Sequence, residues 1–244
     1  MLLALFLIDL AAGLILFLPL VGRRNAGVKF YRLILITTGA LAACAAAAHA
    51  NAHARELAID DGILIALTVF VYVVLRYPKR LVFQVPAALL GMAWLALAIV
   101  SWRAATHATL GWSIAGALAS VAILGSVNLA MILGHWYLVV RGMPIDPLRR
   151  LTIATLVSTI ARIVVVSVAL TLTWNEIAVR QGIFFWMRAL WGLLGPLLLY
   201  PMVWGTVKLR STMAATGILY VDVVAVVIGE VLGGWLSAIV HLPV

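Results

Sequence analysis

The chain is patterned as eight long apolar runs separated by short polar segments rich in arginine and lysine. A helix needs about 20 mainly apolar residues to cross the hydrocarbon core of a bilayer, because each residue adds about 1.5 Å. Most of the runs reach this length. The pattern therefore predicts one all-α transmembrane domain over residues 1–244, with spans at 2–21, 33–50, 62–75, 81–101, 111–140, 151–174, 183–205 and 213–239.

Two of the predicted spans depart from the ideal length. The third reads GILIALTVFVYVVL and is short, so we expect it to include flanking residues. The fifth is long, and a long span tilts or continues beyond the bilayer. Merging two runs would leave seven spans, but the polar segment RYPKR at 76–80 separates the third run from the fourth and argues against that.

Composition supports a membrane protein. The chain is 66% hydrophobic and 10% charged, with a mean hydropathy of +1.18, whereas a soluble domain carries about 25% charged residues. The lipid bilayer is therefore the first expected partner. Residues 2–21 lack a basic leading region and run too long for a signal peptide. Cys44 is the only cysteine, which excludes an intrachain disulfide, a CxxCH haem attachment and an iron–sulfur cluster held by this chain alone.

The net charge of +9 follows the loops. Odd-numbered loops hold twelve lysines and arginines, whereas even-numbered loops hold three, namely Arg55, Arg103 and Arg180. Basic residues collect in cytoplasmic loops. We therefore expect the odd loops in the cytoplasm and both termini outside, with the protein integral to the bacterial cytoplasmic membrane. The charge reports membrane orientation, so nucleic acid is not an expected partner.

The chain also contains a faint internal repeat. Residues around spans one and two read LPLVGRRNAGVKFYRLILITTGA, and those around spans five and six read WYLVVRGMPIDPLRRLTIATLVS. Each is an apolar run, a basic turn and another apolar run. Two halves of four spans in the same orientation would form a parallel repeat, although any two cytoplasmic hairpins share this pattern.

Besides Asp9 in span one, four charged residues fall inside the predicted spans, and an ionised side chain at membrane depth costs about 2.5–3.5 kcal/mol or more. They are Arg162 in span six, Arg188 in span seven, and Asp222 and Glu230 in span eight. Residue counts from the predicted span ends put Arg162 level with Asp222, and Arg188 level with Glu230. We therefore expect these two ion pairs, with Asp9 of span one as a competitor for Arg188.

These charges have two interpretations. As ion pairs they fix helix packing, because an arginine can hold a carboxylate through two hydrogen bonds. As a functional site they line a quinone pocket, a proton path or an ion site. Asp222 and Glu230 are eight residues apart, about 80° around a helix, so both can face one cavity. Thr216, Tyr220 and Trp235 add polar and aromatic groups to the same helix.

Four of the five histidines fall at the predicted outer surface. His49 and His53 are spaced i, i+4 in AHANAHARE and share a face if the helix continues; His107 and His241 are the other two. Neutral imidazole binds haem iron, zinc and copper. The pattern predicts a b-type haem held by His49 or His53 together with His107, or a zinc or copper site built from three outer histidines, chiefly His49, His53 and His107. The alternative is that each histidine contacts solvent or lipid headgroups.

His135 lies near the opposite surface, in MILGHWYLVV. Gly134 beside it would allow close approach of a flat ligand, which makes His135 a further haem candidate. An aromatic belt at the membrane interface explains the segment equally well. No lysine lies inside a span, which argues against a retinal Schiff base, and the P-loop, HExxH and GxSxG motifs are absent.

The leading hypothesis is a membrane subunit of an electron-transfer complex. It would bind b-type haem, a quinone or both, and pass electrons between an outer-face redox protein and the quinone pool. Short loops favour association with other protein subunits. The haem candidates are His49, His53, His107 and His135, and the candidates for the quinone or proton site are Arg162, Arg188, Asp222 and Glu230.

Two alternatives remain open. One is a secondary, proton-coupled transporter that uses the same acids and arginines; span seven would be its broken helix, through Gly192, Gly195, Pro196 and Pro201. The other is a structural or assembly subunit of a membrane complex, in which the charges only pair. The sequence leaves open whether the chain is quinone-reactive or non-catalytic.

Overall fold

A computed structural model of the chain describes residues 1–74, 80–140, 142–174 and 182–244, with only the backbone in 80–88. It is 91% helical, and the predicted all-α fold with eight helices of membrane length is confirmed. The described residues exclude 76–79 of the RYPKR segment, and with them Arg76 and Lys79. They also exclude Arg141 and Arg180. The helices are α1 (Leu2–Val21), α2 (Arg23–Asn51), α3 (Arg55–Val74), α4 (Arg80–Thr106), α5 (Leu110–Val139), α6 (Asp146–Trp174), α7 (Gly182–Lys208) and α8 (Thr212–Val240).

Several helices begin earlier than the apolar runs do. The short third run gains its length from flanking residues, as expected, because α3 begins at Arg55. Glu56 stands in its first turn, where a negative charge favours the positive end of the helix dipole. Helix α6 begins at Asp146, with Pro147 next, and proline is tolerated in a first turn because its missing N–H needs no partner there.

Helices α1 and α5 form the centre of the bundle. Helix α5 is the most buried of the eight, and both helices contact α4, α6 and α8. They cross at a pair of glycines, where a Cβ added to Gly13 would lie 2.5 Å from the Cα of Gly125. Because no side chain larger than hydrogen fits there, small residues set this close approach.

Helix α7 is continuous, but its hydrogen bonding changes along its length. An α-helical part, Gly182–Ala189, is followed by a π-helical turn, Leu190–Leu194, and then by a second α-helical part, Gly195–Lys208. The expected irregularity of span seven therefore takes the form of a π-helical turn. Such turns are rare, and they are often found at functional sites.

Large apolar side chains cover the outside of the bundle, including Leu3, Phe70 and Ile183, which are 63%, 57% and 71% exposed. This surface is consistent with contact to lipid. Because the first residues of α1 and the last turns of α8 line one cavity, both termini lie at one end of the bundle, here called the termini end. The opposite end is called the loop end. The side of the membrane that each end faces remains a prediction. The parallel repeat also remains a prediction.

Candidate functional site

Glu230 of α8 is the centre of a buried charge cluster. Arg162 of α6 donates to it twice, from Nε to Oε1 at 3.0 Å and from Nη2 to Oε2 at 2.9 Å. Arg188 of α7 donates from Nη2 to Oε1 at 2.8 Å. Both arginines are fully buried, and Glu230 is 4% exposed. One carboxylate thus compensates two guanidinium groups, and the bond to Arg162 has the paired geometry that strengthens such contacts.

Three glycines make room for the Arg188 guanidinium. A Cβ added to Gly192 or Gly229 would lie 3.0 Å from Arg188 Nη1, and one added to Gly233 would lie 2.8 Å from Nε. Gly192 belongs to the π-helical turn, while Gly229 and Gly233 flank Glu230 on α8. Any larger residue at these positions would meet the guanidinium or the facing backbone, so the glycines position Arg188.

A second buried acid borders the cluster. Asp9 of α1 is 1% exposed and accepts a hydrogen bond from Trp102 Nε1 at 2.8 Å. The Trp102 ring in turn faces Arg162, whose Cζ lies 5.7 Å from the ring centroid, a distance at which a cation is attracted to an aromatic face. Ser120 of α5 lies beside both Asp9 and Glu230. Six helices therefore contribute to one site.

The expected pair of Arg162 with Asp222 is wrong, whereas the expected contact of Arg188 with Glu230 is present. Helix α6 begins at 146, five residues before the predicted span. Arg162 therefore lies sixteen residues along α6, close to the eighteen of Glu230 along α8 and well beyond the ten of Asp222. Asp9, the expected competitor for Arg188, bonds to Trp102.

Asp222 lies apart from the cluster. It is 2% exposed, and its Oδ1 has no hydrogen-bond partner among the described residues. Along α8, Asp222 lies between Thr216, which lies beside Gly134 of α5, and Val226, which packs in one apolar cluster with Ile123, Leu124 and Val127 of α5. Asp222 is therefore a second buried acid, nearer the loop end than Glu230 and in no ion pair within the described part of the chain.

A cavity of about 360 Å³ lies at the termini end between α1 and α8. We call it the terminal cavity. Its polar wall is formed by Asp9, Trp102, Ser120 and Glu230, and the rest of its lining is mostly apolar. Asp222 is not part of its lining, so the expectation that Asp222 and Glu230 share a cavity is not met here. Leu3 and Val231 line the cavity and are also 63% and 52% exposed. The mouth therefore opens on the apolar outer surface of the bundle.

His49 and His53, which were predicted to share one helical face, lie in different elements because α2 ends between them. His49 is buried and its Nδ1 lies 2.8 Å from Asp61 Oδ2, which joins α2 to α3. Helix α2 ends at Asn51, so exposed His53 stands in the turn with a φ of 56° and does not share a helical face with His49. Within the described residues no three His, Cys, Asp or Glu side chains form a metal-binding group.

His107 and His241 come together instead. Their ring centroids lie 6.1 Å apart at the termini end. His135 lies towards the loop end, where its Nδ1 is 3.5 Å from the hydroxyl of Tyr220. Tyr220 is exposed, and its side chain turns towards His135 of α5.

The sequence alone did not indicate Trp102, Ser120, Gly229 or Gly233 as site residues, and it singled out Gly192 only as part of a broken helix. Trp102 and Ser120 carry no motif, and only the fold brings them to Asp9. The spacing Gly229-x-x-x-Gly233 was a usable signal, because small residues four apart mark close helix approach in membranes.

Fold and site together define a polytopic α-helical membrane protein in which two buried arginines share one carboxylate beside a cavity. No family model, curated protein or solved structure matches the chain.

Proposed function

We propose that the protein is a quinone-binding membrane subunit of an electron-transfer complex and that the quinone ring occupies the terminal cavity. The observation that carries the proposal is a cavity whose mouth opens on the apolar surface at Leu3 and Val231 and whose inner wall carries Asp9, Trp102, Ser120 and Glu230. A quinone diffuses within the lipid and needs an apolar site with a few polar groups at its carbonyl oxygens.

The volume and the charges support this ligand class. About 360 Å³ falls within the range of roughly 300–1,000 Å³ typical of small-molecule sites. Oxidation of a bound quinol releases two electrons and two protons. Asp9 is the better acceptor for the first proton, because three arginine N–H groups already bond to Glu230, and the second proton would pass to water at the termini end. Ser120 is placed to hydrogen-bond a quinone oxygen.

The proposal includes the predicted orientation and partners. With the termini end outside and the odd loops in the cytoplasm, the cavity would serve a redox protein at the outer face of the bacterial cytoplasmic membrane. The electrons would pass to that protein or to another subunit. A b-type haem in this chain stays a prediction; if His49 were a ligand, its Nδ1 bond to Asp61 would leave Nε2 for iron.

A cavity-filling substitution tests the quinone proposal. Gly234 lines the cavity and has open space where a Cβ would stand, so we expect the ring of Gly234→Phe to occupy part of the site. We expect the Kd of a short-chain ubiquinone or menaquinone, measured by quenching of tryptophan fluorescence, to rise at least about tenfold, or about 1.4 kcal/mol. A reduced-minus-oxidised spectrum of the same preparation tests for haem.

Gly217→Phe is the matched control. Gly217 lies on the same helix, is exposed, and also has open space at its Cβ position, but it lies outside the cavity. This variant should bind quinone as the unmodified protein does. Equal quenching in the Gly234→Phe variant and the unmodified protein, or none in either, would overturn the proposal.

A proton-coupled transporter is the second candidate, and the π-helical turn of α7 beside Arg188 favours it. A π-helical turn can change register as a helix rearranges, and irregular helices line the sites of transporters. Proteoliposomes that contain the protein and a pH-sensitive dye should then show substrate-dependent proton movement. Quinone binding without proton movement would favour the first proposal, and the absence of both would favour a structural subunit.

A further inference from the structure

Two helices end in histidines that stand next to each other. His107 follows α4, which ends at Thr106, and His241 follows α8, which ends at Val240. Both adopt left-handed backbone conformations, with φ of 55° and 59°. This region is uncommon for residues other than glycine, although histidine enters it more readily than most. Each helix ends with unpaired carbonyl groups and partial negative charge, which favour a cation nearby.

The orientation of the His241 ring is fixed. Its Nδ1 lies 2.6 Å from the carbonyl oxygen of Thr106. A carbonyl oxygen only accepts hydrogen bonds, so Nδ1 carries the proton and the lone pair of the neutral ring lies on Nε2. A backbone carbonyl that accepts from one ring nitrogen is the usual support for a histidine that binds metal through the other.

The chain after His241 returns to the bundle. Val244 N donates to Ser237 Oγ at 3.0 Å, and Pro243 packs close to Gly116 and Trp102. These contacts tether the segment that carries His241. Both histidine side chains are nevertheless exposed, so an ion in the surrounding water can reach them.

The separation of the rings suits a shared metal ion. A nitrogen ligand lies about 2 Å from zinc, so two imidazoles on one ion have ring centroids roughly 5–6.5 Å apart. The observed separation is 6.1 Å, with the ring planes at 67°. We propose that His107 and His241 bind one divalent transition-metal ion of the Cu²⁺ or Zn²⁺ class, with water completing the coordination. Imidazole suits both ions, and Cu²⁺ binds such ligands most tightly.

This site lies outside the lining of the terminal cavity, so its test does not depend on quinone binding. The experiment is a titration of tag-free purified protein with Cu²⁺, followed by calorimetry and by electron paramagnetic resonance. We expect one ion per chain and a spectrum with nitrogen hyperfine coupling. His107→Ala and His241→Ala should each weaken binding at least about tenfold, because even the loss of an outer-sphere partner costs about 10–100-fold.

His53→Ala is the matched control. His53 is exposed, lies in a turn at the same end of the bundle, and shares the left-handed conformation with a φ of 56°. It should bind Cu²⁺ as the unmodified protein does. Unchanged binding in His107→Ala, or an equal loss in His53→Ala, would overturn the proposal.

A second readout guards against misfolding of the variants. His107→Ala leaves the bond between His241 and Thr106 in place, but it puts alanine in a left-handed conformation, as the control His53→Ala also does. Without metal, the two variants should therefore melt at similar temperatures. Excess Zn²⁺ should raise the melting temperature of the unmodified protein and leave that of His107→Ala unchanged. An equal rise in both proteins would contradict a site at His107.

Discussion

Glu230 and Asp222 are two buried acids on one helix, yet their surroundings differ. Glu230 receives three hydrogen bonds from Arg162 and Arg188, whereas Asp222 has no ion pair in the described part of the chain. Removing one member of a buried ion pair leaves an uncompensated charge, which is strongly destabilising. The two acids therefore differ in what they contribute to stability.

Glu230→Gln should lower the free energy of unfolding by about 3–5 kcal/mol, because it leaves two buried guanidinium groups without a carboxylate. The measurement is unfolding in mixed detergent micelles, followed by circular dichroism. Asp222→Asn is the control; it breaks no ion pair in the described structure, so its effect should stay below about 1 kcal/mol.

Equal losses in the two variants would contradict this assignment. A triple variant tests whether the loss of stability comes from the unpaired charges. Replacing the whole cluster, with Arg162→Met, Arg188→Met and Glu230→Leu together, should recover most of the lost stability, because well-packed apolar residues often replace a buried ion cluster at little cost.

At the scale of helices, glycine pairs set the closest approaches. Gly13 meets Gly125 where α1 crosses α5, and Gly192 meets Gly229 where α7 crosses α8. In each pair an added Cβ would lie within 2.5 Å of the facing Cα. Because these contacts are backbone to backbone, a larger residue can be accommodated only if a whole helix moves.

Gly125→Ala should lower the free energy of unfolding by about 1–3 kcal/mol, the usual cost of overpacking. Thermal unfolding in detergent measures it. Gly217→Ala is the control, since a Cβ there meets nothing within 4 Å and alanine favours a helix over glycine by about 1 kcal/mol. A stabilised Gly125→Ala variant would show that the crossing is loose.

The helices themselves could be predicted from the length of the apolar runs, but their polar ends could not. Residues 55–61 and 146–150 are rich in charge, so hydropathy excludes them, although acids in a first turn, such as Glu56 and Asp146, favour a helix start. Span six was predicted to begin at 151, whereas α6 begins at Asp146. This difference of five residues led to the wrong predicted partner for Arg162. Counting residues from a predicted span end gives the depth of a side chain only to within a few residues. Choosing between Asp222 and Glu230 as the partner of Arg162 requires a more precise depth, because the two acids are only eight residues apart.

The functional site depends on the whole molecule and could be predicted only in part. Arg162, Arg188 and Glu230 stood out as charges in apolar runs. Trp102 and Asp9 are separated by 93 positions in the chain, and no spacing rule connects them. Helix packing alone brings them together, and it likewise paired His107 with His241 rather than with His49 or His53.

The orientation of the whole molecule can be tested by labelling. In a Cys44→Ser background, His53→Cys reports the termini end and Ser211→Cys the loop end; both positions are exposed. Because basic loops stay in the cytoplasm, a membrane-impermeant maleimide should label His53→Cys on intact spheroplasts, and Ser211→Cys only after lysis. Both should react equally in detergent, and the reverse pattern on intact cells would invert the predicted topology.

The arrangement of the charge cluster also has a consequence for biosynthesis. Arg162 and Arg188 lie in α6 and α7, whereas Glu230 lies in α8, so the ribosome makes both arginines before their common carboxylate. Until α8 is made, Arg162 and Arg188 lack the Glu230 carboxylate, and each charge is costly in lipid. We therefore expect α6 and α7 to insert stably only once α8 supplies Glu230.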